Sequence, residues 1–162
     1  MLMDVKKALT KIIKIYTDGS YNHKLEKGAH AFIIVKDDER IFSKSEFTPF
    51  SEYCLNHIRA EIEAVLSALT YLILNIEKYE FEKVIVYSDY EGIQKWMGNK
   101  MNIKNPEVKK FIKYMKYLAG VIKRYKKEII FEKVKAHSGD KHNDFVDQLC
   151  KEKFYGKYYE RY

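Results

Sequence analysis

Four carboxylates stand where a folded chain has to account for them. Asp18 follows the β-branched, apolar run Ile12-Ile13-Lys14-Ile15-Tyr16-Thr17, and Asp89 closes a second such run, Val84-Ile85-Val86-Tyr87-Ser88. Each reads as an acid delivered to the tip of a buried strand, where a charge costs desolvation energy unless something neutralises it. Glu61 lies one residue before an apolar stripe of helical period, and Asp147 sits on a closing amphipathic segment. Any one of them has an ordinary alternative: Asp18-Gly19 is also how a chain opens a turn. Gathered outside the carboxyl ends of parallel strands in an α/β sheet, they predict a hard-cation site. Four oxygen ligands with no supporting cysteine cluster favour Mg²⁺ or Mn²⁺ over zinc. Without the cation such a cluster repels itself, and at least one member has a raised pKa. His137, in the glycine-containing stretch Lys135-Ala136-His137-Ser138-Gly139-Asp140, lies ten residues before Asp147 and is a candidate for proton movement. Asn143, four residues before Asp147, shares its helix face.

The elements that must carry these residues are legible from periodicity. Ile12 to Asp18 is a strand that ends at its acid, Ala29 to Lys36 a second, Asp37-Asp38-Glu39 a turn and Arg40 to Lys44 a third strand. From Arg59 to Ile76 the period changes: Ile62, Val65, Leu66, Leu69, Leu72, Ile73 and Ile76 recur at three- and four-residue spacing, one face of a helix. Ala64 and Ala68, in the row of Glu61, let that helix approach the sheet closely. A strand–helix–strand crossover makes Val84 to Asp89 parallel to the first strand, with Asp18 and Asp89 at one edge. Tyr90 to Gly98 reads as a short helix, Pro106 opens a longer one ending near Lys127, and Glu128 to Val134 is a last strand. Asn143 to Phe154 closes the fold as an amphipathic helix through Val146, Leu149, Cys150 and Phe154.

Length and composition set the frame. The 162 residues, 46% of them apolar, suit one domain with a real core. Cys54 and Cys150 are too few for a disulfide scaffold, and Met1-Leu2-Met3-Asp4 is no leader, which makes the cytoplasm the expected location. The most apolar stretch, Val65 to Ile76, falls well short of the roughly 20 residues that span a bilayer. Net charge is +7, unevenly spread: Lys95 to Lys127 holds eleven basic residues against Glu107 alone, a balance of +10 that leaves −3 for the rest. A basic strip beside an acid-bearing body suits a protein that grips a polyanion and does metal chemistry on it. A lysine-rich solvated helix face is the plainer alternative.

The set Tyr16-Thr17-Asp18-Gly19-Ser20, Arg59-Ala60-Glu61, Tyr87-Ser88-Asp89 and His137-Ser138-Gly139-(x3)-Asn143-(x3)-Asp147-Gln148-Leu149 resembles the type 1 ribonuclease H family. The resemblance runs from about Lys11 to Phe154, and it is the order and closing spacing of four motifs that make it specific. It implies a single α/β domain of ribonuclease H-like fold, a five-stranded mixed sheet with helices on both faces. It also implies that Asp18, Glu61, Asp89 and Asp147 hold two Mg²⁺ ions. The chain departs from the common pattern in three places. Tyr90-Glu91-Gly92-Ile93 follows Asp89 at once, as in a clostridial-type branch of the family. His57, with Asn56 beside it, stands where members often carry a minor-groove asparagine, and Lys95 to Lys127 resembles a shortened basic handle. A separate N-terminal hybrid-binding module, which some members carry, is not expected in these 162 residues.

These residues are expected to form a metal-dependent endonuclease that hydrolyses the RNA strand of RNA–DNA hybrids, leaving 5′-phosphate and 3′-hydroxyl ends as the resemblance implies. Asp18 is the expected bridging ligand between the two metals, with Mn²⁺ able to replace Mg²⁺, and His137 assists proton movement or product departure. RNA would be read by its 2′-hydroxyls across a wide minor groove. Gly19, Ser20, Asn22, Asn56, His57 and Asn143 are the expected contacts near the acids, with Trp96, Lys100 and Lys104 gripping the backbone from the strip. Two other readings share much of the pattern: a nuclease or strand-transferase of the same fold acting on DNA, and a non-catalytic hybrid-binding module. The second would have lost an acid, and none of the four is missing. A monomer is expected.

Overall fold

The computed structural model describes residues 11–52, 55–134 and 140–156. Within them the chain forms β1 (Ile12–Asn22), β2 (Lys27–Lys36), β3 (Glu39–Thr48), α1 (Asn56–Leu74), β4 (Lys83–Ser88), α2 (Glu91–Met97), α3 (Pro106–Arg124), β5 (Glu128–Lys133) and α4 (Lys141–Tyr155). The five strands make one mixed sheet in the order β3-β2-β1-β4-β5. β1, β2 and β3 are an antiparallel meander, whereas β4 runs parallel to both β1 and β5. Asp37 and Asp38, both at positive φ, turn β2 into β3, a conformation that short polar side chains tolerate.

Alternation along the central strands feeds two cores. Ile13, Ile15, Phe32 and Ile34 face α1 and α3, joining Ile62, Val65, Leu69, Leu72, Ile112 and Met115 in the larger one. The intervening Tyr16, Ala31, Ile33 and Val35 face α4, where Val146 and Cys150 complete a smaller core. Because β1 and β2 are covered on both sides, they read as nearly unbroken apolar runs. Asn105 caps α3 by accepting hydrogen bonds from the amides of Glu107 and Val108, with Pro106 at its first helical position. Among the described residues no helix is long and apolar enough to cross a membrane.

One expected boundary is corrected. β1 does not end at Asp18 but continues four residues to Asn22. What ends there is one of its two partnerships: pairing with β4 stops at Thr17 opposite Ser88, while pairing with β2 carries on to Asn22 opposite Lys27. Asp18 therefore sits at the notch where the sheet loses a neighbour, and one flank of β1 is open to other groups.

Candidate active site

That notch is held by hydrogen bonds on both strands. The Thr17 hydroxyl donates to the Tyr87 carbonyl at 2.8 Å, tying β1 to β4 one residue before Asp18 and two before Asp89. Beyond β4, the Tyr90 amide donates to the Ser88 hydroxyl at 3.1 Å and shapes the turn that carries Asp89. On the third side α1 comes very near. A Cβ placed on Gly19 would lie 2.2 Å from the Ala60 carbonyl carbon and 2.3 Å from the Glu61 nitrogen. Only glycine fits, so Gly19, expected as a nucleic-acid contact, is the residue that lets the helix backbone reach the strand. This close approach carries Glu61 into the notch.

Oxygens of Asp18, Glu61 and Asp89 then lie within 4.8 Å of one another. Asp18 is 6% exposed and Glu61 8%. Burial holds the Glu61 carboxyl well above the usual carboxylate range, and the negative charges of Asp18 and then Asp89 push it the same way. A hydrogen bond from the Gly19 amide opposes that shift. Glu61 Oε2 is buried and has no hydrogen-bond partner among the described residues. An orphaned, buried carboxylate oxygen beside two more acids fits a hard divalent cation, which prefers oxygen donors.

α4 closes the fourth side. The Cys150 thiol lies 3.3 Å from the Asp18 carbonyl oxygen and donates to it. Burial, together with the nearby acids, pushes that thiol's pKa well up, so it serves as a neutral packing group. Asp147, one turn earlier on the same helix, is half-buried and is not among the three acids within 4.8 Å of one another. Asp140 starts the helix by accepting from the amides of His142 and Asn143. His137 lies outside the described residues.

The expected nucleic-acid contacts scatter. Asn56 and His57, with Tyr21, His23 and Asn105, line a groove of about 640 Å³ beside the start of α1. Asn22 is engaged within the fold: its carboxamide donates to the Tyr155 hydroxyl and accepts from the Leu25 amide. The Ser20 hydroxyl lies 3.4 Å from the Lys151 ammonium. Lys100 and Lys104 are exposed, and Lys100 lines a separate cleft of about 520 Å³ with Lys116 and Lys123. Trp96, expected to grip the backbone, is 8% exposed and packed in the larger core with its ring at an angle to that of Tyr90, so it presents little surface to a ligand. Its spacing from Gly92 and Ile93 on a short helix, all three buried, was the signal for an inward face.

The sequence model of the RNase H family matches residues 10–155. The chain belongs to the ribonuclease H family. A ribonuclease H of Wolbachia sp. subsp. Drosophila simulans (strain wRi) is 32% identical over 145 residues, spanning 87% of this chain and 94% of the relative. The ribonuclease H of Wolbachia pipientis wMel matches over the same lengths at the same identity. Among solved structures, RNase H1 of the halophilic archaeon Halobacterium salinarum NRC-1 superposes with a TM-score of 0.72 at 14% identity, over 90% of this chain and 99% of that one. LC11-RNase H1, solved in complex with an RNA/DNA hybrid, does so at 0.67 and 19%, over 88% and 99%. As a ribonuclease H, the chain is an enzyme.

Proposed function

We propose that this ribonuclease H is a metal-dependent endonuclease cutting the RNA strand of RNA–DNA hybrids to leave 5′-phosphate and 3′-hydroxyl ends, acting as a monomer. The observation that carries the reading is the convergence of Asp18, Glu61 and Asp89 within 4.8 Å, with Glu61 Oε2 lacking a hydrogen-bond partner among the described residues. Those three would hold the cation, with Asp147 contributing from α4. Mg²⁺, or Mn²⁺ in its place, would supply an activated water and charge stabilisation for the leaving 3′-oxygen. The protein's own part is to hold the acids at fixed positions and to orient the strand. His137, in the stretch before α4, would help move a proton. The groove lined by Asn56 and His57 offers donors to the 2′-hydroxyls that distinguish RNA. The hybrid bound by the LC11 neighbour supports that substrate class.

Incubating the protein with labelled hybrid, double-stranded DNA and double-stranded RNA, with and without Mg²⁺, tests this. RNA-strand cleavage confined to the hybrid and dependent on the metal is expected. Cleavage of duplex DNA, or of the hybrid in the presence of a chelator, would overturn it.

A further inference from the structure

The basic strip contains one acid, and that acid is turned onto the fold, its side chain 21% exposed. Glu107, in the first turn of α3, accepts hydrogen bonds from the Ser51 hydroxyl at 2.9 Å on each of its two oxygens. It also accepts from the Arg59 guanidinium at 3.2 Å. Arg59, 13% exposed, reaches Glu63 at 2.9 Å and stacks 4.3 Å over the Phe111 ring. Ser51 is itself buried, and its amide donates to the carboxamide oxygen of Asn56 at 3.2 Å. With that oxygen engaged, Asn56 is left to offer its Nδ2 donors in the groove it lines with His57. A chain of contacts thus runs from the basic helix through Glu107 and Ser51 to Asn56.

We propose that Glu107 is a positioning residue for hybrid binding: through Ser51 it sets the orientation of Asn56. The inference rests on the hybrid-binding reading given above. Its physical content is that an isolated acid in a strip of eleven bases is kept for geometry, because its charge alone opposes a polyanion. That separates the two roles by sign. If Glu107 were only one more surface charge, Glu107→Gln would make the strip more positive and tighten binding. If it positions Asn56, the same change loosens a charge-assisted network and weakens binding.

The test uses the full chain and a fluorescent RNA–DNA hybrid, with Kd measured in chelator and KM and kcat measured in Mg²⁺. Glu107→Gln is expected to raise Kd and KM about tenfold, the order of one lost charge-assisted hydrogen bond, with kcat within about twofold. Ser51→Ala, which changes no charge, should shift Kd in the same direction by a smaller factor. On an Asn56→Ala background, the effect of Glu107→Gln should shrink to within about twofold, because the residue being positioned is gone. Binding by Glu107→Gln as tight as the parent's or tighter, or an undiminished effect on the Asn56→Ala background, overturns the proposal. Should Glu107→Gln fail to melt cooperatively, Ser51→Ala alone and on the Asn56→Ala background carries the same test. A parent protein that neither binds nor cleaves hybrid overturns both readings, whereas a cleaving parent with an unaffected Glu107→Gln overturns this one only.

Discussion

At Glu61 burial and neighbouring charge act in the same direction. The carboxyl is almost fully enclosed and faces two more acids, so without a cation it is pushed toward its neutral form. A histidine elsewhere shows the opposite case. Burial lowers the pKa of His30 from its ordinary 6.5, against the opposing pull of Glu63 and Glu46 and together with the weaker repulsion of Lys44 and Arg59. Its Nδ1 lies 2.8 Å from the Thr48 hydroxyl, which holds the ring between β2 and β3. Because the folded pKa is depressed, the stability His30 contributes is present above pH 6.5 and is lost as pH falls through the lower folded value. His30→Gln should therefore destabilise the protein more at pH 7.5 than at pH 5. Denaturant melts of parent and variant at both pH values check this, and a gap independent of pH would contradict it.

The element that decides the geometry of the site is the contact between β1 and α1. Gly19→Ala would put a methyl against helix backbone, which cannot swing aside as a flexible side chain can. Overpacking of this kind costs about 1–3 kcal/mol, and here relief comes only by moving α1 and Glu61 away from Asp18. The variant should fold with a lowered melting temperature and lose most of its activity, as read by thermal melting and hybrid cleavage together. Unchanged activity would mean that the close approach does not set the position of Glu61. Much of this was legible beforehand: period gave the helices, the crossover gave the parallel β1–β4 pair, and the acids that follow the two apolar runs gave the pair that meets Glu61. The extension of β1 past Asp18 was not, because Gly19 and Ser20 look the same in a turn as in a strand that keeps one partner. Nor was the placement of Trp96, since a seven-residue helix leaves few positions from which to read an inward face. The network of Ser51, Arg59 and Glu107 spans contacts more than forty residues apart in sequence, beyond any local pattern.

Over the whole molecule the charges divide the labour. The acids lie in the notch between β1, β4 and α1, while exposed lysines such as Lys100, Lys104, Lys109 and Lys110 cover α3 and the turn before it. Each phosphate neutralised by such a lysine releases counterions, so log affinity should fall linearly with log salt by roughly 0.7–0.9 per contact. Replacing those four by glutamine should weaken hybrid binding and flatten the slope, and raise KM far more than it lowers kcat. An unaltered slope, measured by salt titration of Kd, would make the strip a solvated surface only.

The claim at the centre is that chemistry takes place at the three gathered acids. The rate at which Asp18→Asn cleaves the RNA strand of a hybrid in saturating Mg²⁺ tests it most directly. The substitution keeps the side chain's volume and removes one charge from a repulsive cluster, so the metal-free fold should melt at or slightly above the parent's temperature. Loss of essentially all cleavage in a protein that still folds and binds hybrid is the predicted result. Cleavage at the parent's rate would contradict it.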